Sequence, residues 1–141
     1  MFQNQMTKNP SLNIVGLDVG DKKIGVARAN IIAKIPEALK TLKNDLNFTQ
    51  SLKDLLDEQA TNLIIVGLPR GGSGQETPQT KKVIEFIDQL KHDFAEVEFV
   101  FVDESLSSVR ADEYLRNTKH KMDQDGVAAC FILQEYFTIN G

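Results

Sequence analysis

Cysteine occurs once in this chain, at Cys130. An internal disulfide is therefore impossible. Cys130 sits in the apolar run Val127 to Leu133 and is expected to be a small core residue rather than a metal ligand. Histidine is nearly as scarce. His92 and His120 have no evident nucleophile beside them, so a serine or thiol triad is not indicated. Tryptophan is absent, and no Phe, Tyr or Trp lies among Arg116, Lys119, His120 and Lys121, which argues against recognition by base stacking. A run of about 18 apolar residues is also missing, so no membrane span is expected. The segment Met1 to Ser11 lacks the apolar stretch of a signal peptide. It is expected to form a tail, and the protein is expected to be cytoplasmic.

What is present suits one globular domain, expected over residues 12–138. The 141 residues are 41% hydrophobic and 26% charged, enough for a single core. The formal net charge of −4 argues against a general polyanion binder but not against a local basic patch.

No internal repeat or linker divides the chain. Leu12 to Leu17 is a nearly continuous apolar run, read as a buried strand that ends in the turn Asp18-Val19-Gly20-Asp21. Ile24 to Asn30 reads as a second strand, close enough to pair as a hairpin. Ile31 to Ile35 reads as a third, stopped by Pro36. Helical spacing of Leu52, Leu55 and Leu56 predicts a helix over Phe48 to Ala60. A strand over Leu63 to Val66 is ended by Gly67-Leu68-Pro69. The glycine-rich stretch Arg70 to Gly74 reads as a flexible loop. A helix is predicted over Thr77 to Lys91, a strand over Val97 to Val102, a Ser-capped helix over Ser105 to Arg116 and a last helix over Asp123 to Phe137. An antiparallel start followed by alternating units implies an α/β fold, a mixed sheet covered by helices.

Ligands of such sheets gather at the carboxyl ends of the parallel strands. Asp18 closes the first strand, Asp103 and Glu104 follow the last one, and Asp125 opens the final helix. Each has a plain structural role available. Asp18 could accept turn N–H bonds, Asp103 and Glu104 could cap a solvated strand end, and Asp125 could favour a helix N-terminus. Together, carboxylates from separate elements form a hard oxygen set suited to Mg²⁺ or Mn²⁺. Such ions serve phosphodiester hydrolysis.

The motifs then point to a family. Gly16-Leu17-Asp18-Val19-Gly20-Asp21-Lys22-Lys23-Ile24-Gly25-Val26-Ala27 resembles the first motif of the YqgF/RuvX family. Val66-Gly67-Leu68-Pro69 resembles its second, Asp103-Glu104-Ser105-Leu106-Ser107-Ser108 its third and Asp125-Gly126-Val127-Ala128-Ala129 its fourth. The resemblance implies an RNase H-like five-stranded sheet, antiparallel over its first three strands and then parallel, in a metal-dependent nuclease. It implies processing of the 5′ end of pre-16S ribosomal RNA, with contact to ribosomal precursor particles. Resolution of Holliday junctions in branched DNA is the alternative. By motif position, Asp18, Glu104 and Asp125 carry over as the catalytic, metal-binding acids, and Asp103 only as their neighbour. Two departures stand out. Ser105 occupies a place where the family usually has Arg. Arg70-Gly71-Gly72-Ser73-Gly74 replaces a loop that usually resembles Asn-Met-Asp-Gly. Arg70 is the candidate replacement cation.

Lys22, Lys23, Arg70, Arg110, Lys119 and Lys121 are the candidate nucleic-acid contacts, the last two in a basic stretch with Arg116 and His120. Each also reads as an ordinary solvated cation. The loop at residues 71–74 fails the Walker pattern, because Ser73 rather than Lys follows Gly72. An Asp-x-Gly turn after a first strand also occurs in actin-like ATPases and sugar kinases, but those need two such domains. A non-catalytic rRNA-binding assembly factor on the same fold is a third reading. A resolvase is expected to be a homodimer, since a junction offers two symmetric strands. An end-processing enzyme could be a monomer.

Overall fold

The computed structural model of the chain describes residues 12–103 and 124–140, with the side chains of all of these except Gln124 and Asp125. In chain order the elements are β1 (Asn13–Val19), β2 (Lys23–Asn30), β3 (Glu37–Lys43), α1 (Phe48–Gln59), β4 (Leu63–Leu68), α2 (Pro78–Leu90), a short 3₁₀ turn (Lys91–Asp93), β5 (Glu98–Asp103) and α3 (Gln124–Asn140). The expected helix over Ser105 to Arg116 lies outside the described residues.

The strands form one sheet in the order β3-β2-β1-β4-β5. β1, β2 and β3 are antiparallel neighbours, whereas β4 and β5 run parallel to β1. This is the mixed sheet that the sequence implies. Residue alternation assigns its two faces. Val15, Leu17, Ile24, Val26, Ile64 and Val66 pack under Leu52, Leu55 and Leu56 of α1 and Val83, Ile87 and Leu90 of α2. On the other face, Ile14, Ala27, Ala29, Ile65 and Val102 pack against Ala129, Ile132 and Leu133 of α3. Ile132 and Leu133 are fully buried, and burial of each such side chain contributes about 1.5–3 kcal/mol.

The β1–β2 hairpin is tight. Gly20 N–H donates to the Lys23 carbonyl at 3.0 Å, and a Cβ at Gly20 would lie 2.7 Å from that oxygen. Asn44, just past β3, fastens the tip. Its side-chain amide donates to the Gly20 carbonyl at 2.8 Å, and its backbone N–H donates to the Lys22 carbonyl at 2.9 Å.

The third strand is not where the apolar run suggests. Ile31 to Ala33 form a turn, and the strand runs from Glu37 to Lys43. The Asn30 side chain accepts N–H bonds from Ile32 and Ala33 at 2.8 and 3.0 Å, a local closure typical of Asn. Lys34 has φ +58°, which no strand tolerates. Ile32 and Ile35 consequently remain 73% exposed. The other boundaries shift by a few residues. β4 continues through Gly67 and Leu68, which pair with Val102 and Asp103. Thr77 caps α2 by accepting the Thr80 N–H, and left-handed Ala60 closes α1. The final helix extends to Asn140.

The helix layer comes close to the sheet at Gly16. A Cβ there would lie 2.8 Å from Leu133 Cγ and 3.1 Å from the Ala129 carbonyl oxygen. Gly16→Val should therefore push α3 off the sheet and cost about 1–3 kcal/mol by overpacking. Urea denaturation checks this; a variant as stable as the parent would mean that α3 is free to shift.

Candidate functional site

Asp18 is the sixth residue of β1, the central strand. Val15, Leu17 and Val19 face the α1–α2 layer. Alternation places Asp18 with Ile14 and Gly16 on the α3 face. The carboxylate is half-buried near the carboxyl end of its strand.

Its lateral neighbours have no side chains. Asp18 pairs with Gly25 on β2. On the other side, Leu17 pairs with Val66, so one step further Asp18 comes level with Gly67. Both glycines are buried. The carboxylate thus stands on a strip of sheet where no adjacent Cβ crowds it. A partly desolvated carboxylate needs a cation, a proton or hydrogen bonds, and the hard oxygen donor is the type that Mg²⁺ or Mn²⁺ takes.

Of the other expected acids, Glu104 lies outside the described residues. It directly follows Asp103, the last residue of β5. Asp103 pairs with Leu68 through the parallel β4–β5 ladder, at the same end of the sheet as Asp18. Residue 125 lies in the first turn of α3, one helical turn before Ala129, whose carbonyl oxygen approaches Gly16. Asp18 and α3 therefore share one face of the sheet. Among the described residues, no three His, Cys, Asp or Glu side chains converge as a metal cluster.

The candidate cations fall in different places. Lys22 and Lys23 are exposed at the β1–β2 tip, three and two residues before Gly25, the partner of Asp18. Arg110, Lys119 and Lys121 lie outside the described residues. Arg70 Nε donates to Asp103 Oδ1 at 3.0 Å. The guanidinium thus spans the ends of β4 and β5, immediately before the Glu104 position. The glycine loop beyond Arg70 closes on Gln75. Gly71 N–H donates to the Gln75 carbonyl at 2.8 Å, and Gln75 Oε1 accepts from Ser73 Oγ at 2.5 Å and Ser73 N–H at 3.1 Å.

A concavity lies elsewhere. A groove of about 720 Å³ is lined by Arg28, Ile35, Glu37, Val127, Cys130 and Phe131 among others, and Asp18 is not part of it. Cys130 is half-buried and packs against the core on the α3 side of the sheet. Burial pushes its thiol up to about 11, with the Glu37 charge adding to the shift. Such a thiol is protonated at neutral pH and a poor nucleophile or metal ligand.

The fold places the chain in the RNase H-like class of mixed five-stranded proteins. It aligns with Thermus thermophilus RuvC in complex with a Holliday junction substrate at a TM-score of 0.55 and 10% identity, over 92% of this chain and 95% of that one. It also aligns with the fowlpox virus Holliday junction resolvase at a TM-score of 0.51 and 17% identity, over 90% of this chain and 99% of that one. At these identities the likeness concerns the fold. The family described as RuvX: Holliday junction resolvase matches residues 12–139, and the chain belongs to it. Relatives include a Fusobacterium nucleatum protein provisionally named a pre-16S rRNA nuclease, 36% identical over 86% of this chain and 94% of its own length. A Clostridioides difficile protein of the same name is 38% identical over 90% of this chain and 96% of its own length.

The Arg70–Asp103 pair is 24% and 63% exposed on its two sides, so solvent screening limits its worth to under about 1 kcal/mol. Arg70→Ala should leave thermal stability nearly unchanged. If Arg70 serves the site, nuclease activity should fall several-fold. A large loss of stability in differential scanning calorimetry would instead make the pair structural.

Proposed function

We propose that this chain is a divalent-metal-dependent nuclease that hydrolyses phosphodiester bonds, with the 5′ end of pre-16S rRNA as its substrate. The observation that carries the reading is Asp18. It stands half-buried at the end of the central strand, flanked by Gly25 and Gly67 and on the face that α3 covers. Family membership and the shared name of full-length relatives support the same chemistry.

In this reading Asp18, Glu104 and Asp125 hold Mg²⁺ or Mn²⁺. When bound, the metal supplies an activated water and charge stabilisation for the leaving oxygen. The chain contributes the rest. The β1 backbone fixes Asp18 in the sheet, and the α3 contact at Gly16 holds the last helix against the same strand. Glycines beside Asp18 leave room for a phosphodiester to approach. Arg70 holds Asp103 and sets a positive charge next to the Glu104 position, which suits an anionic substrate.

A second reading keeps the chemistry and changes the substrate. The family description and the fold neighbours name Holliday junctions, so a four-way DNA junction belongs in the same assay. The protein and its Asp18→Asn variant should be incubated with a pre-16S RNA end and with a junction, each with Mg²⁺ or Mn²⁺. The expected result is cleavage of the RNA by the parent and a loss of about 10³-fold or more in the variant, the scale on which catalytic electrostatics act. Full activity in Asp18→Asn would overturn the site. Preference for the junction would overturn the RNA assignment.

A further inference from the structure

Arg70 is held from three sides. It lies two residues past Leu68, the end of β4. The carbonyl before it, that of Pro69, accepts from the Thr80 hydroxyl. Thr80 is fully buried in the first turn of α2, and its hydroxyl also accepts the Thr77 N–H at 2.9 Å. On the other side, the Gly71 N–H donates to the Gln75 carbonyl at 2.8 Å. The side chain is fixed as well, because Arg70 Nε donates to Asp103 Oδ1 at 3.0 Å. Helix, loop and strand β5 thus set both the backbone and the guanidinium of one arginine.

The Asp103 bond occupies one of five guanidinium donors. The Arg70 side chain is only 24% exposed, and among the described residues the guanidinium has no second partner. Shielded donors call for an acceptor, and the planar fork of Arg matches two oxygens of a phosphate. The register says which phosphate. Asp18 is level with Gly67, which pairs with Val102, so Asp103 lies one residue further along and two strands away. That is about 10 Å across the sheet. Phe99 and Phe101 pack on the α1–α2 core, and alternation puts Asp103 on that face, opposite to Asp18. Arg70 therefore stands across the carboxyl edge of the sheet from Asp18, placed for a neighbouring phosphate rather than the one being cut.

We propose that Arg70 binds a phosphate flanking the scissile one, and that Asp103 and Thr80 are positioning residues that aim its guanidinium. This rests on the nuclease reading and gives its substrate a second defined contact. Asp103 takes the Nε–H and leaves the terminal nitrogens to the phosphate. Thr80 fixes the point at which the chain leaves β4.

The test is binding, measured in an Asp18→Asn background so that no strand is cut. Fluorescence anisotropy with a labelled pre-16S 5′-end RNA and with a four-way DNA junction gives affinity as a function of salt. Arg70→Ala should weaken binding at least about tenfold, the scale of a charge-assisted contact. It should flatten the slope of log affinity against log salt by about 0.7 for a single-stranded or about 0.9 for a duplex contact, one phosphate in each case. Its melting temperature should stay that of the parent, which separates lost contact from lost fold. Arg70→Lys keeps a charge without the fork and should remain at least about threefold weaker than the parent. Asp103→Ala should also weaken binding, although it removes a negative charge, whereas Asp103→Asn keeps the acceptor and should bind within about twofold of the parent. Thr80→Val should lose affinity and Thr80→Ser should restore it. Lys91→Ala, just past the far end of α2, should change nothing. Stronger binding by Asp103→Ala would make that carboxylate a competitor of the phosphate and overturn the aiming. Unchanged affinity and slope in Arg70→Ala, with the parent binding normally, would overturn the contact and leave the nuclease reading standing. Failure of the parent to bind either nucleic acid would overturn both.

Discussion

The contact between α3 and β1 at Gly16 governs the arrangement. The Ala129 carbonyl and Leu133 come so near the strand that even a methyl group at position 16 would collide with them. Residues 16 and 18 share a face, so the same contact fixes which face of the sheet carries Asp18 and where the last helix begins relative to it. The small residues at the start of α3, Gly126, Ala128 and Ala129, are buried and permit the approach. Moving the helix outward would lengthen the distance between the elements that carry Asp18 and Asp125. Close packing and the site are therefore one constraint, because a packed interior transmits such a displacement instead of absorbing it.

A second constraint acts at the other end of β1. The hairpin needs Gly20 for its closure, and Asn44 binds the tip to the end of β3. This fastening holds the hairpin tip, with Lys22 and Lys23, just beyond the Asp18–Gly25 pair. Arg70 adds a positive group at the ends of β4 and β5 through Asp103. An overall charge of −4 is compatible with local cations at one end of the sheet.

Much of the fold is legible in the chain because its strands are strongly patterned. The apolar runs at Leu12–Leu17 and Leu63–Val66 became β1 and β4, and the spacing of Leu52, Leu55 and Leu56 became the buried face of α1. The third strand was hidden. Ile31 to Ile35 has the composition of a strand, but the Asn30 side chain captures two N–H groups and turns the chain. The real strand, Glu-Ala-Leu-Lys-Thr-Leu-Lys, carries three charges in seven residues because it lies at the sheet edge. Its register against β2, Lys23 opposite Lys43 through Arg28 opposite Glu37, follows only from the folded sheet. Asp18 was legible from its position after an apolar run. The glycines beside it acquired meaning only through register, since Gly25 and Gly67 are remote from each other in sequence and adjacent to Asp18 in the sheet.

The central claim is that Asp18 belongs to a divalent-metal site. Titration of Mn²⁺ into the protein, followed by electron paramagnetic resonance of the free ion, tests it without any substrate. The account predicts saturable binding by the parent and an affinity at least about tenfold weaker in Asp18→Asn, in line with the loss of a metal-binding group. Equal Mn²⁺ affinity in the two proteins would contradict it.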